Sequence, residues 1–122
     1  MPSSRRFVLA GALAALTSLA AQTTAATAQQ APIANVAGNY LAWGMNADGS
    51  NYAGQVQIIQ QGNAVEVYWS VASQSYSGRG WVEGRVVTVN WGSSSPVVYV
   101  LMGRELHGTW NNGTALEKLT PR

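Results

Sequence analysis

Val65-Glu66-Val67-Tyr68-Trp69-Ser70-Val71 alternates without a break. Val65, Val67, Trp69 and Val71 fall on one face, and Glu66, Tyr68 and Ser70 on the other. Successive side chains of a β-strand point to opposite sides, so this pattern predicts a strand with one face on a core and one in water. The same grammar extends both ways. Short alternating pieces are punctuated by Gly, Asn, Asp, Ser and Pro, the residues that tolerate turn geometry. Before the quoted stretch, strands are predicted at 40–45 and 52–60, joined by Asn46-Ala47-Asp48-Gly49-Ser50. After it they are predicted at 76–83, 85–91, 97–102, 106–110 and 114–119. Val97 to Met102 is an unbroken apolar run, which predicts burial on both faces. Gly78 and Gly80, two apart in one strand, predict a bend or the close approach of a large side chain. No segment has a helical period. The expected fold is all-β, a small antiparallel up-and-down meander of about eight strands. Every connection is short, so closure into a barrel is expected over a sandwich.

The first 28 residues read as an export signal. Arg5 and Arg6 form a positive start, Phe7 to Ala21 is apolar and uncharged, and Ala26-Thr27-Ala28 is a small-x-small cleavage site. The apolar run is 15 residues, short of the ~20 a spanning helix needs. The Ser-Arg-Arg start also has a twin-arginine flavour, although an ordinary secretory signal is the simpler reading. Cleavage would leave 94 residues beginning at Gln29, with 29–37 as a mobile lead and 38–122 as one domain. The location expected is periplasmic or extracellular.

Cleavage changes the charge. Arg79, Arg85, Arg104, Lys118 and Arg122 then balance Asp48, Glu66, Glu83, Glu105 and Glu117. A neutral domain has no basic stripe to displace counterions from nucleic acid, and no polybasic membrane patch. Cysteine is absent, so no disulfide supports a domain whose size gives a thin stability margin. Five tryptophans and five tyrosines, all after residue 39, supply apolar area instead.

Set in order, Gly38-x-Tyr40, Asn46-x-Asp48-Gly49-Ser50-x-Tyr52-x-Gly54-x-Val56, Trp69, Gly78-x-Gly80, Val97-Val98-Tyr99, Leu106-x-Gly108-x-Trp110 and Glu117-x-Leu119-Thr120-Pro121 make a string. It resembles a family of small exported proteobacterial β-proteins labelled fibronectin-binding-like or hypothetical. The resemblance covers nearly all of the chain after the leader and implies a binding role at the cell surface. Many members of that family carry a cysteine pair in the middle strands, which this chain lacks. The Gly-x-Tyr opening and the Gly108-Thr109-Trp110 ending are also similar to avidin and lipocalin barrels, in architecture alone.

Catalytic and metal chemistry find little to work with. His107 is the single histidine, and with no cysteine it cannot build a zinc site of familiar composition. It alternates with Leu106 and Gly108, so a solvent-facing position is expected. Asn46, Asp48 and Ser50 mimic the start of a calcium loop, but the glycine is misplaced and Gln57 stands where a bidentate Glu is needed. Asn112-Gly113-Thr114 fits a glycosylation sequon but reads better as a turn. No cofactor or metal is expected. Glu117, between Leu116 and Leu119, stands apart from the other glutamates, and a charged or backbone partner inside the barrel end is expected for it.

The aromatics are the best candidates for function, since Trp and Tyr combine flat apolar area with a polar tip. Trp69, Trp91 and Trp110 are in phase with valine or leucine neighbours, which predicts core. Tyr68 and Trp81 are out of phase, and Tyr40 and Trp43 have opposite parity on the first strand. A ligand site is therefore expected from Tyr40, Trp43, Tyr68 and Trp81. The function expected is a non-catalytic binding module for a small ligand or an extracellular protein. The alternatives are a structural envelope protein with no ligand site, and a hydrolase whose two carboxylates would stand within about 10 Å. If the leader is read correctly, intact-mass analysis of the exported protein will give a chain starting at Gln29. A mass that retains Phe7 to Ala28 would overturn that reading.

Overall fold

The computed structural model describes residues 32–122. The segment read as an export signal lies outside the described residues. Eight strands follow in order: β1 Gly38–Met45, β2 Asn51–Gln61, β3 Ala64–Val71, β4 Gln74–Glu83, β5 Val86–Asn90, β6 Val97–Met102, β7 Glu105–Trp110 and β8 Ala115–Pro121. Each pairs antiparallel with the next, and β1 also pairs with β8, so the meander closes into a barrel. Closure removes every sheet edge, as the short connections led one to expect.

Alternation sets the wall. Val65, Val67 and Trp69 of β3 point inward and are buried, joined by Val56, Ile58, Val87, Val89, Val97, Tyr99, Leu106 and Leu119. An eight-stranded barrel is just wide enough to be filled by side chains or to hold one small ligand. The outer wall carries Gln55, Gln57, Ser70, Ser77 and Arg79 in exposed positions. The same wall also exposes Leu41, Trp43, Ile59, Val100 and Leu116. Among the described residues, no helix is long and apolar enough to cross a membrane.

Two expectations change. The apolar run of β6 is not covered on both faces. Val97 and Tyr99 are buried, but Val100 and Met102 stand exposed, because none of the described residues packs outside the barrel wall there. The described end of the lead is also anchored. Val36 is 1% exposed and sits in the core, with Ala34 packed against it. The end of the barrel near the β2–β3, β4–β5 and β6–β7 turns would otherwise expose its apolar interior, and these residues cover it.

Gln60 and Tyr40 fix that cover. The Gln60 Oε1 accepts from the Val36 amide at 2.8 Å, and its Nε2 donates to the carbonyls of Ala34 and Gly62, both at 2.9 Å. The Tyr40 hydroxyl donates to the Val36 carbonyl at 2.7 Å. The strand glycines explain the tight curvature. At Gly80 a Cβ would lie 1.7 Å from the Thr88 carbonyl oxygen of β5, so only glycine lets β4 coil this close.

Gln60→Ala will leave the Val36 amide without its acceptor, a loss of about 1–3 kcal/mol for a group kept from water. Hydrogen exchange at Val36 is expected to accelerate more than at the strand amides. Unchanged protection there would show that packing alone seats the lead.

Candidate functional site

The opposite end of the barrel is open. The β1–β2, β3–β4, β5–β6 and β7–β8 connections surround a cavity of about 260 Å³. It is lined by Tyr52, Trp69, Tyr76, Trp91 and Trp110, with Asn46, Val71, Val97 and Glu117. Four of the rings form an edge-to-face chain around the mouth. Tyr76 meets Trp91 at 5.9 Å between centroids, Trp91 meets Trp110 at 6.0 Å, and Trp110 meets Tyr52 at 6.2 Å. Edge-to-face geometry sets the positive edge of one ring against the negative face of the next. The rim is stitched across loops. The Trp91 indole donates to the Ser95 carbonyl at 3.2 Å, and the Ser95 hydroxyl accepts from the Asn112 amide at 3.0 Å.

At the base of the cavity lies Glu117, 6% exposed. It is the buried charged residue among those described. Its Oε1 accepts from the Tyr52 hydroxyl at 2.7 Å, and its Oε2 accepts from the Trp69 indole at 3.0 Å and from the Tyr99 hydroxyl. Trp110 donates to the Tyr52 hydroxyl at 3.0 Å, which ties the aromatic rim to the carboxylate. No Lys, Arg or His among the described residues forms an ion pair with it.

The backbone register explains how the tyrosines reach it. Gly44 of β1 lies opposite both Tyr52 and Glu117, and Gly108 of β7 lies opposite both Tyr99 and Glu117. The inward row around the barrel therefore reads Tyr52, Gly44, Glu117, Gly108, Tyr99. A Cβ on Gly44 would stand 2.0 Å from the Tyr52 ring, and one on Gly108 would stand 2.6 Å from the Tyr99 ring. Each glycine is a gap across which a phenol passes to the carboxylate.

This placement sets the acid–base character of the two phenols. Burial raises the Tyr99 pKa well above its ordinary value of 10.0, and the Glu117 charge and hydrogen bond raise it further. Tyr52 is raised by the same causes in the same order.

The four residues predicted as a ligand site are not brought together. Tyr40 is buried at the sealed end. Trp43 projects from the outer wall of β1 and is 46% exposed. Tyr68 and Trp81 also face outward, donating to Glu66 and Glu83 of their own strands. None of the four lines the mouth cavity; Tyr68 instead borders a polar groove on the outer wall with Gln57, Ser70 and Ser77. The cavity uses the in-phase aromatics read as core, together with Tyr52 and Tyr76. Glu117 does turn inward, but its partners are the neutral side chains of Tyr52, Trp69 and Tyr99 and not the charged or backbone group expected. His107 is on the outer face against Glu105 at 2.9 Å, and Asp48 and Ser50 satisfy each other in the β1–β2 turn. Glu66, Glu83 and Glu105 hold outward positions, so Glu117 is the single carboxylate lining the cavity.

The chain matches no protein family when compared with family profiles, and no curated protein. Among solved structures it is similar to a redesigned β barrel, with a TM-score of 0.52 and 15% identity. That likeness covers 71% of this chain and 91% of the other, and it concerns the fold.

Because Tyr52 and Tyr99 hold their protons more tightly folded than unfolded, their stabilising contribution is complete below pH ~10 and is lost as pH rises above it. Urea unfolding is expected to give constant stability from neutral pH to about 9 and a steep decline beyond. Tyr99→Phe will cost about 1–3 kcal/mol at neutral pH and flatten that decline. Parallel alkaline declines for the two proteins would show that Tyr99 is not linked to the network.

Proposed function

We propose that this chain is an exported binding module whose barrel mouth receives a small ligand. The observation that carries the reading is the asymmetry of the barrel. One end is sealed by Val36, and the other opens into a cavity of about 260 Å³ walled by five aromatic side chains. Such a cavity, mainly apolar with a few convergent polar groups, has the character of a small-molecule site. The small-x-small sequence Ala26-Thr27-Ala28 after an apolar run supports export.

A protein partner is the second reading. Leu41 and Trp43 of β1 and Leu116 of β8 occupy neighbouring outward positions and are 46–50% exposed. The resemblance to fibronectin-binding-like proteins supports that use of the outer wall.

Acrylamide quenching separates the two. Trp43→Phe and Trp81→Phe together will silence the outer indoles and leave Trp69, Trp91 and Trp110 as reporters of the mouth. The panel is sugars, biotin, haem, fatty acids and fibronectin fragments. A member that shields the indoles of this double variant, and loses the effect with Tyr76→Ala, establishes the mouth as the site. Protection seen only when Trp43 and Trp81 are present moves binding to the outer wall. Indoles unmoved by every member would leave a structural protein without a ligand.

A further inference from the structure

We infer that the mouth cavity selects a compact organic cation, a substituted ammonium group held between the aromatic walls above the Glu117 carboxylate. This rests on the mouth being a ligand site, and it names the chemistry of what enters. Three observations converge on it.

First, the group at the base is a carboxyl held as an acceptor. Tyr52, Trp69 and Tyr99 all donate to Glu117. A carboxylate surrounded by donors is used as an acceptor at each of these contacts, the role of its ionised form. Two oxygens offer about four lone-pair directions, so three donors do not exhaust it.

Second, none of the described residues in the cavity neutralises that charge. The lining contains no Lys, Arg or His. The five Lys and Arg residues among those described lie elsewhere: Arg79 pairs with Glu66 on the outer wall, Arg85 reaches the Leu101 carbonyl, Arg122 reaches Gln55, Arg104 occupies the β6–β7 turn at the sealed end, and Lys118 takes an outward position on β8. Neutral hydrogen bonds disperse the negative charge but do not cancel it. In a site partly shielded from water, its field is stronger than the same charge would exert in bulk solvent.

Third, the walls favour the same sign. Aromatic faces carry the negative lobe of their quadrupole, and an ammonium within about 6 Å of a ring centroid is attracted to it. Five rings line this cavity. A quaternary ammonium has no N–H to satisfy and presents a methylated, apolar surface, so it matches walls that offer area and field but few acceptors. An anionic ligand would meet the Glu117 carboxylate at the base of the cavity. A neutral ligand of the same shape would gain area but no charge attraction.

The test compares choline with its neutral isostere, 3,3-dimethyl-1-butanol, and with p-cresol as a neutral aromatic. Binding is read by calorimetry and by indole fluorescence of the purified protein. Choline is expected to bind at least ~10-fold more tightly than the isostere, equivalent to about 1.4 kcal/mol. Tyr76→Ala, at the half-exposed rim, is expected to weaken choline binding and leave the fold intact. Glu117→Gln keeps the shape and removes the charge, and is expected to erase the preference. If that variant fails to fold, raised salt supplies the second measurement, since a charge-based preference falls with ionic strength while an area-based one does not. Equal affinity for choline and the isostere would overturn the inference. Binding of p-cresol with no response to choline would also overturn it but keep the mouth as a ligand site. No response to any of the three would count against both.

Discussion

The rest of the structure is arranged around a buried carboxylate with no cation beside it among the described residues. Removing a charged group from water is costly unless donors replace its hydration. Glu117 has three such donors, from β2, β3 and β6, on three sides of the barrel. Reaching it requires space, and the space comes from Gly44 and Gly108, which flank it on the neighbouring strands. The network and the barrel wall are therefore one design. The two glycines thin the wall beside Glu117, the two phenols lie across them, and the Trp69 indole closes the third side. The curvature of the barrel, the course of the aromatic chain and the floor of the cavity follow from that arrangement.

The two ends of the barrel solve opposite problems. At one end Val36 fills the opening, and Gln60 and Tyr40 satisfy the backbone of the segment that carries it. At the other end no segment enters among the described residues. The aromatics there stop water from reaching the valine core, while their outer edges remain accessible at the rim. A cysteine-free domain gains cohesion in this way, because each of the three ring pairs in the edge-to-face chain contributes about 0.5–1.5 kcal/mol beyond the area it buries. The cost is a core that is open at the mouth, which is also what makes room for a ligand.

Periodicity resolved the fold and misplaced the site for one physical reason. A period of two reports whether a side chain faces in or out, and it fails on β6, whose run Val97–Met102 is apolar throughout. Val65, Val67 and Trp69 point inward as read, and Tyr68 and Trp81 point outward as read. Depth along the barrel axis is a different coordinate. It depends on the stagger between strands, which no single strand encodes. Trp91 and Trp110 are in phase with the core and yet sit at its open end, because each lies at or just past the C-terminal end of its strand. Tyr52 shares its parity with Val56 and Ile58, and at the start of β2 it occupies the same level. The available signal was an inward-parity aromatic next to a turn on the mouth side. Out-of-phase aromatics pointed instead to the outer wall. Glu117 was legible because a charge in an apolar phase needs a partner wherever it lies, although the glycine gaps that supply its partners emerge only once β1, β7 and β8 are in register.

A core built only for stability would not contain Glu117. Replacing a buried charged cluster by apolar side chains of similar volume is often neutral or stabilising, whereas removing one partner from it is costly. In a domain with no disulfide and a small interior, that difference weighs heavily. Places where a sequence departs from the best packing it could adopt are where function is expected, since the rest of the chain follows the local rules closely. Here the departure is not isolated. It brings Tyr52, Trp69 and Tyr99 into fixed orientations, and through Trp110 it reaches the rim. A side chain that entered the mouth would meet groups already held in place, so little ordering would remain to oppose binding. Preorganisation of this kind would favour a ligand at the mouth, and the hydrogen bonds that hold the carboxylate inside the fold are the ones that would supply it.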